Sequence, residues 1–286
     1  MKRSLLYQLG RRGSDHLDRL IEEVLLGERL GLESVWCLPD AGESGDFRLG
    51  APEFWVAALA GRTERIRLGW GLAGLTPPDR PPIRSAEQSA SLDLASGGRL
   101  DIGFLPNWIP DSDPVEPDAV GTPRDSGAGA PWDEGIRMLV DMWDGPRFSW
   151  TSAQFEVPPV DVLPKPEQKP HPPLWLVGWS AEHARRSGRA GLGFLDVSGG
   201  VDDALEMHRD AYLSARSAAD PNDLVCVSVY AAALAGGRAS EMAERLEKWD
   251  SLDFDHAVLR VDPEDEDSLT TRGRIRLLAG ESVDVH

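Results

Sequence analysis

The chain has 286 residues, and 48 acidic against 30 basic side chains give it a formal net charge of −18. An anionic surface of that strength repels nucleic-acid phosphates and acidic lipid, so neither is an expected partner, whereas a 41% hydrophobic composition can fill a large core. Its two cysteines, Cys37 and Cys226, make neither a disulfide framework nor a zinc site and read as small apolar fillers of strands.

In chain order, MKRSLLYQLG opens with basic residues, but its apolar run is too short for a secretory signal. No run approaches the roughly 18 residues of a membrane span, so a cytoplasmic protein is expected. Residues 4–10 read as a strand. The segment 15–31 sets Leu17, Leu20, Ile21, Val24 and Leu25 at helical spacing and stops at Gly31. Strand 33–40 follows, then a helix from Pro52 to Thr63 with proline in its first turn. Strand 65–75, helix 83–96 and strand 99–105 complete a βαβαβαβ run, the pattern of a parallel sheet covered by helices.

The regularity then breaks. Residues 106–130 are rich in Pro, Asp and Gly, helix 132–145 intervenes, and 146–173 is irregular with a hairpin-like piece, FSWTSAQFEV. It returns with strand 173–178, helix 180–191, strand 193–198, helix 201–216, strand 223–234, helix 239–251, strand 256–262 and a helix over 267–280. Eight strands, each followed by a helix, predict a (β/α)8 TIM barrel forming one domain over 1–286, with insertions at about 106–130 and 146–173. An open doubly wound sheet is the alternative architecture.

Four stretches carry a family resemblance: LGLESVWCLPD (30–40), residues 63–103 with PIRSAEQSASLDLASGGR, DEGIRMLVDMWDG (133–145), and residues 160–197 with LPKPEQKPHPPLWLVG. Together they resemble the bacterial-luciferase-like flavin monooxygenases. The resemblance implies a TIM barrel with an insertion between the fourth helix and fifth strand, reduced FMN or a deazaflavin as cofactor, and a dimer.

A TIM barrel keeps its working residues at the C-terminal ends of its strands. The second strand ends at Asp40, where many relatives continue with a histidine; here Asp40 and Glu43 are the candidate acids. The third strand ends in GWGLAG, which matches a dinucleotide fingerprint by letter but runs into LTPPDRPP, where no helix can start. The resemblance instead places Ala73 and Gly74 beneath a flavin ring. After the fourth strand, Pro106 stands where the luciferase branch has a phosphate-contacting arginine, followed by Asn107 and Trp108. The fifth ends in Gly178 and Trp179; Ser180 reads as a helix N-cap whose first turn can bind an anion, and the resemblance assigns it a phosphate contact.

Trp70, Trp108 and Trp179 are expected at the mouth, where indoles can sandwich a planar ligand or fill the volume of a lost cofactor. Tyr230 joins them as a pocket residue. The six histidines have no metal-ligand spacing, and neither GxSxG nor GxxxxGK[ST] occurs, so no metal is expected. Two readings follow. One is a monooxygenase using reduced FMN or a deazaflavin, oxygen and a small organic substrate, supplied by a flavin reductase and assembled as a homodimer; Asp40, Glu43 and Asn107 would be catalytic, Ala73, Gly74, Gly178 and Ser180 cofactor-binding. The other is a flavin-free barrel, either a cofactor-independent enzyme or a non-catalytic partner subunit.

Overall fold

Alternation along each strand decides which side chains enter the barrel and which meet the helices. The computed structural model describes all residues except 10–14, 42–46, 49–50, 74–81, 106–129, 154, 200–201, 219–229, 235–238, 252–253, 262–267 and 282–286. Eight parallel strands close on themselves: β1 (Lys2–Leu9), β2 (Ser34–Ala41), β4 (Arg67–Ala73), β5 (Leu100–Leu105), β8 (Leu174–Gly178), β9 (Gly193–Asp196), β10 (Tyr230–Leu234) and β11 (His256–Val261). Pairing of β1 with both β2 and β11 seals the cylinder, which settles the architecture as a barrel rather than an open sheet. A two-residue strand, β3 (Phe47–Arg48), pairs antiparallel with the end of β2.

Helices α1 (Asp15–Arg29), α2 (Pro52–Ala60), α3 (Pro82–Ser96), α4 (Ala130–Asp144), α5 (Ala181–Arg189), α6 (Asp202–Ser217), α7 (Ala239–Ser251) and α8 (Ser268–Leu278) alternate with the barrel strands. After α3, Gly97 and Gly98 take φ +66° and +74°, a left-handed pair that sends the chain straight into β5. The insertion between α4 and β8, the fifth barrel strand, is an antiparallel hairpin of β6 (Phe148–Thr151) and β7 (Glu156–Val160). Its return segment is pinned to the barrel. Gln168 donates from its backbone and side-chain amides to Asp93 at 2.9 and 2.7 Å, and its Oε1 accepts from Arg67, which also clamps Asp101 at 2.9 and 3.0 Å. Among the described residues, no helix is long and apolar enough to cross a membrane.

Two buried layers result. The larger lies between strands and helices and includes Trp70, Phe104, Trp143 and Phe194. The smaller fills the barrel: Leu6, Trp36, Leu38, Leu105, Trp175, Val177, Leu195, Ala231 and Val258. Trp36 and Trp175 meet edge to face inside it, with centroids 5.5 Å apart at 78°. Room for two indoles comes from glycines on the neighbouring strands. A Cβ on Gly69 would fall 2.2 Å from Trp36 Cδ2, one on Gly103 2.8 Å from Trp36 Cζ3, and one on Gly193 2.6 Å from Trp175 Cε3.

Gly69→Ala is therefore expected to destabilise the fold by about 1–3 kcal/mol through overpacking. Trp36→Leu in the same chain should recover part of that loss. Guanidinium unfolding midpoints of the single and double variants check this; an unchanged midpoint for Gly69→Ala would contradict the packing.

Candidate functional site

Above the indole layer, the C-terminal strand ends enclose a cavity of about 320 Å³. Leu38, Pro39, Leu105, Val177 and Val197 make most of its wall, Trp179 stands at its edge, and Gln8 and Ser198 are polar residues of the lining. The volume lies at the lower end of the roughly 300–1,000 Å³ usual for small-molecule sites, which likewise combine an apolar lining with few polar groups.

The β8–α5 junction is built by reciprocal capping. Ser180 is the N-cap of α5, and its hydroxyl accepts the His183 N–H at 3.3 Å. The His183 ring reaches back, its Nδ1 accepting the Trp179 N–H at 3.3 Å, and packs edge-on against that indole with centroids 4.7 Å apart. This is a capping box displaced by one residue, with histidine in place of the usual Glu or Gln. Burial, then the nearby Arg186 charge, pushes the His183 pKa down to about 4, so the ring is neutral and free to accept at neutral pH. Arg186 itself reaches Asp133 of α4 at 3.2 Å, and Arg185 pairs with Glu182 at 2.9 Å.

Residues 4–280 match the sequence family described as luciferase-like monooxygenase. The chain belongs to that family. It is 30% identical over 162 residues to the oxygenase component of a flavin-dependent trigonelline monooxygenase from Acinetobacter baylyi, covering 56% of this chain and 42% of that protein. It is 27% identical over 204 residues to an F420-dependent glucose-6-phosphate dehydrogenase from Amycolatopsis mediterranei, covering 68% and 57%. The matches thus span about half the length of these relatives. Among solved structures, a monooxygenase from Streptomyces bottropensis superposes with a TM-score of 0.75 at 20% identity over 98% of both chains, which shows the shared fold.

The luciferase-like barrel brings together only part of the predicted site. Gly178, Trp179 and Ser180 sit side by side at the mouth. Gly178 is required there, because a Cβ would fall 2.6 Å from that of His183. Ala73 closes β4 opposite Leu105, Asp40 lies in β2 opposite Arg48, and Tyr230 opens β10 opposite Phe194. Glu43, Gly74, Asn107 and Trp108 lie outside the described residues, as do Pro106 and Cys226. Cys37 is buried as expected of a filler, and burial pushes its thiol up to about 12.

Trp70 is a correction. Gly69 and Gly71 are the inward positions of β4, since Cβ atoms there would strike Trp36 and Leu38, so Trp70 must face the helices. It is completely buried in that layer and does not reach the cavity. Among the described residues, Trp36 and Trp175 are the indoles that enter the barrel, and Gln8, Leu38, Leu105 and Val177 are cavity residues beyond those the sequence points to. Strict alternation against the glycines of β4, β5 and β9 was the available signal. No group of three or more metal-ligating side chains occurs among the described residues.

His183 and His256 give the fold a pH signature. Burial is the leading cause of a pKa of about 4 in both. The ordinary value in an unfolded chain is about 6.5. Between those values the unfolded chain takes up protons that the folded one refuses, so their contribution is intact above about pH 6.5 and falls as pH drops toward 4. Urea midpoints from pH 7.5 to 4.5 should decline, and His183→Gln or His256→Asn should each flatten the decline. Slopes equal to wild type in both variants would contradict the assignment.

Proposed function

We propose that the chain is a flavin-dependent monooxygenase that oxidises a small organic substrate, with reduced FMN, or a deazaflavin, held at the barrel mouth. The observation that carries this reading is the cavity itself: an apolar, ring-sized space at the C-terminal strand ends of a luciferase-like barrel. Of the three indoles that the flavin-free alternative expects to fill that space, Trp70 faces the helices, Trp179 lines the cavity edge, and Trp108 lies outside the described residues.

Reduced flavin would supply the electrons for oxygen activation; the rest is work for this chain's residues. Leu38, Leu105 and Val177 keep water from beneath the ring, and Trp179 offers a flat edge wall. Gln8 and Ser198 orient a polar atom of the ligand. In this reading the Ala73–Gly74 backbone underlies the ring, and Gly178 with Ser180 at the N-terminus of α5 receives the phosphate. The Ser180 hydroxyl oxygen already accepts the His183 N–H, so a phosphate there would accept the Ser180 O–H together with the backbone N–H groups of the first turn. Asp40, Glu43 and Asn107 are the candidates for holding or moving a proton. A homodimer in the cytoplasm, served by a separate flavin reductase, completes the reading; the match to a protein named as an oxygenase component supports the reductase.

Anaerobic titration with reduced FMN, followed by absorbance and fluorescence, is expected to give saturable binding at or below tens of micromolar. Val197→Trp at the half-buried rim should weaken it about tenfold, a loss of ~1.4 kcal/mol, with an unchanged melting temperature. Failure of wild-type protein to bind reduced FMN and reduced deazaflavin alike would overturn the proposal.

A further inference from the structure

Two histidines that touch no cavity surface lie directly behind the β8–β9 wall. His183 on α5 and His208 on α6 are each about 95% buried, and Asp196 between them is wholly buried. His183 accepts the Trp179 N–H and stacks edge-on against its ring. On the next strand, Asp196 Oδ1 accepts the Ser198 N–H at 2.9 Å, and Oδ2 accepts from His208 Nδ1 at 2.7 Å. The carboxylate can only accept, so the His208 proton is fixed on Nδ1. The two halves are joined by the Val197 N–H, which donates to the Gly178 carbonyl at 2.8 Å. Each histidine thus has one cavity residue at the end of its hydrogen-bond chain: Trp179 for His183, and Ser198, through Asp196, for His208.

Surface packing accounts poorly for this arrangement. Two buried imidazoles and a buried carboxylate are costly to desolvate compared with apolar side chains of similar size, and the helix–strand seam would close with leucines. Their hydrogen bonds end on backbone amides at the two strand termini that line the cavity, where position matters to a ligand. Trp179 is 42% exposed, and His183 holds it at two points, through its backbone N–H and edge-on against its ring.

We infer that His183 and the Asp196–His208 pair are positioning residues that fix Trp179 and Ser198 as the rigid wall of the ligand cavity, selecting a ring with a hydrogen-bonding atom at its Ser198 edge. The inference rests on the flavin reading for the identity of that ring, and on geometry alone for the positioning.

The test has two arms. In the first, indole N–H resonances of 15N-labelled protein are recorded, with Trp179→Phe identifying the Trp179 signal. His183→Ala should shift or broaden that signal while those of Trp36 and Trp175 stay in place, and His183→Gln should restore most of its position. In the second, reduced FMN and lumichrome, a bare ring without the phosphate tail, are titrated into wild type, His208→Ala, His208→Asn and Trp179→Ala. Affinity for both probes should fall about fivefold or more in His208→Ala and Trp179→Ala, the scale of one lost hydrogen bond, and recover in His208→Asn. Trp179 is exposed enough for its replacement to fold, which keeps the wall testable should a histidine variant not fold. An unmoved Trp179 signal in His183→Ala overturns the positioning role, and unchanged affinities in folded variants of a protein that binds FMN overturn the selective wall. Absence of binding by wild type instead overturns the flavin reading, and the resonance arm still decides the positioning.

Discussion

The edge-to-face contact of Trp36 and Trp175 inside the barrel is the constraint on which the site depends. Two indoles are too large for an eight-stranded barrel of ordinary inward side chains, whose interior is just wide enough to be filled by them. The chain meets the excess volume with Gly69, Gly103 and Gly193, each lying where a methyl group would collide with an indole. The lower barrel is thereby solid. Leu38, Leu105 and Val177 pack in the same cluster as the indoles and line the cavity at the C-terminal strand ends. A ligand at this mouth meets a rigid apolar floor that was fixed by packing several residues below it.

The opposite end of the barrel is polar and tied. Ser34 donates to Ser4 at 2.8 Å inside the cylinder, and Arg67 holds Asp101 through two hydrogen bonds. Glu28 accepts the N–H groups of Glu64, Arg65 and Ile66 at 2.9, 2.7 and 3.0 Å; burial alone would raise its pKa, but these three donors bring it below the usual value. Gln168 then links the insertion to the same end through Asp93 and Arg67. Closed hydrogen bonding at one face and an open apolar mouth at the other fit the division between stability and chemistry common to this architecture.

Much of the fold was legible because its signals are local. Helical spacing in α1 and proline at the start of α2 each reflect a backbone preference that no distant residue overrides. The strand count followed from apolar runs, and the insertion from the prolines that interrupt it. The site was less legible, because it depends on which face of a strand looks inward, and a fully buried parallel strand is apolar on both faces. Sequence therefore does not separate Trp70, which faces the helices, from Trp36 and Trp175, which enter the barrel. Ser180 was found because an N-cap has a chemical signature in sequence. His183 was not, since its bond to Trp179 needs the strand end and helix start to be folded together.

Packed indoles set the floor of the mouth cavity, on which we propose that a flavin ring lies. A crystal structure of the protein grown with FMN tests it most directly. Ring density is expected in the mouth cavity, above Leu38, Leu105 and Val177 and against Trp179, with Trp36 and Trp175 unmoved beneath it. Ring density elsewhere on the molecule, or a ring that enters the barrel only by displacing Trp36 or Trp175, would contradict it.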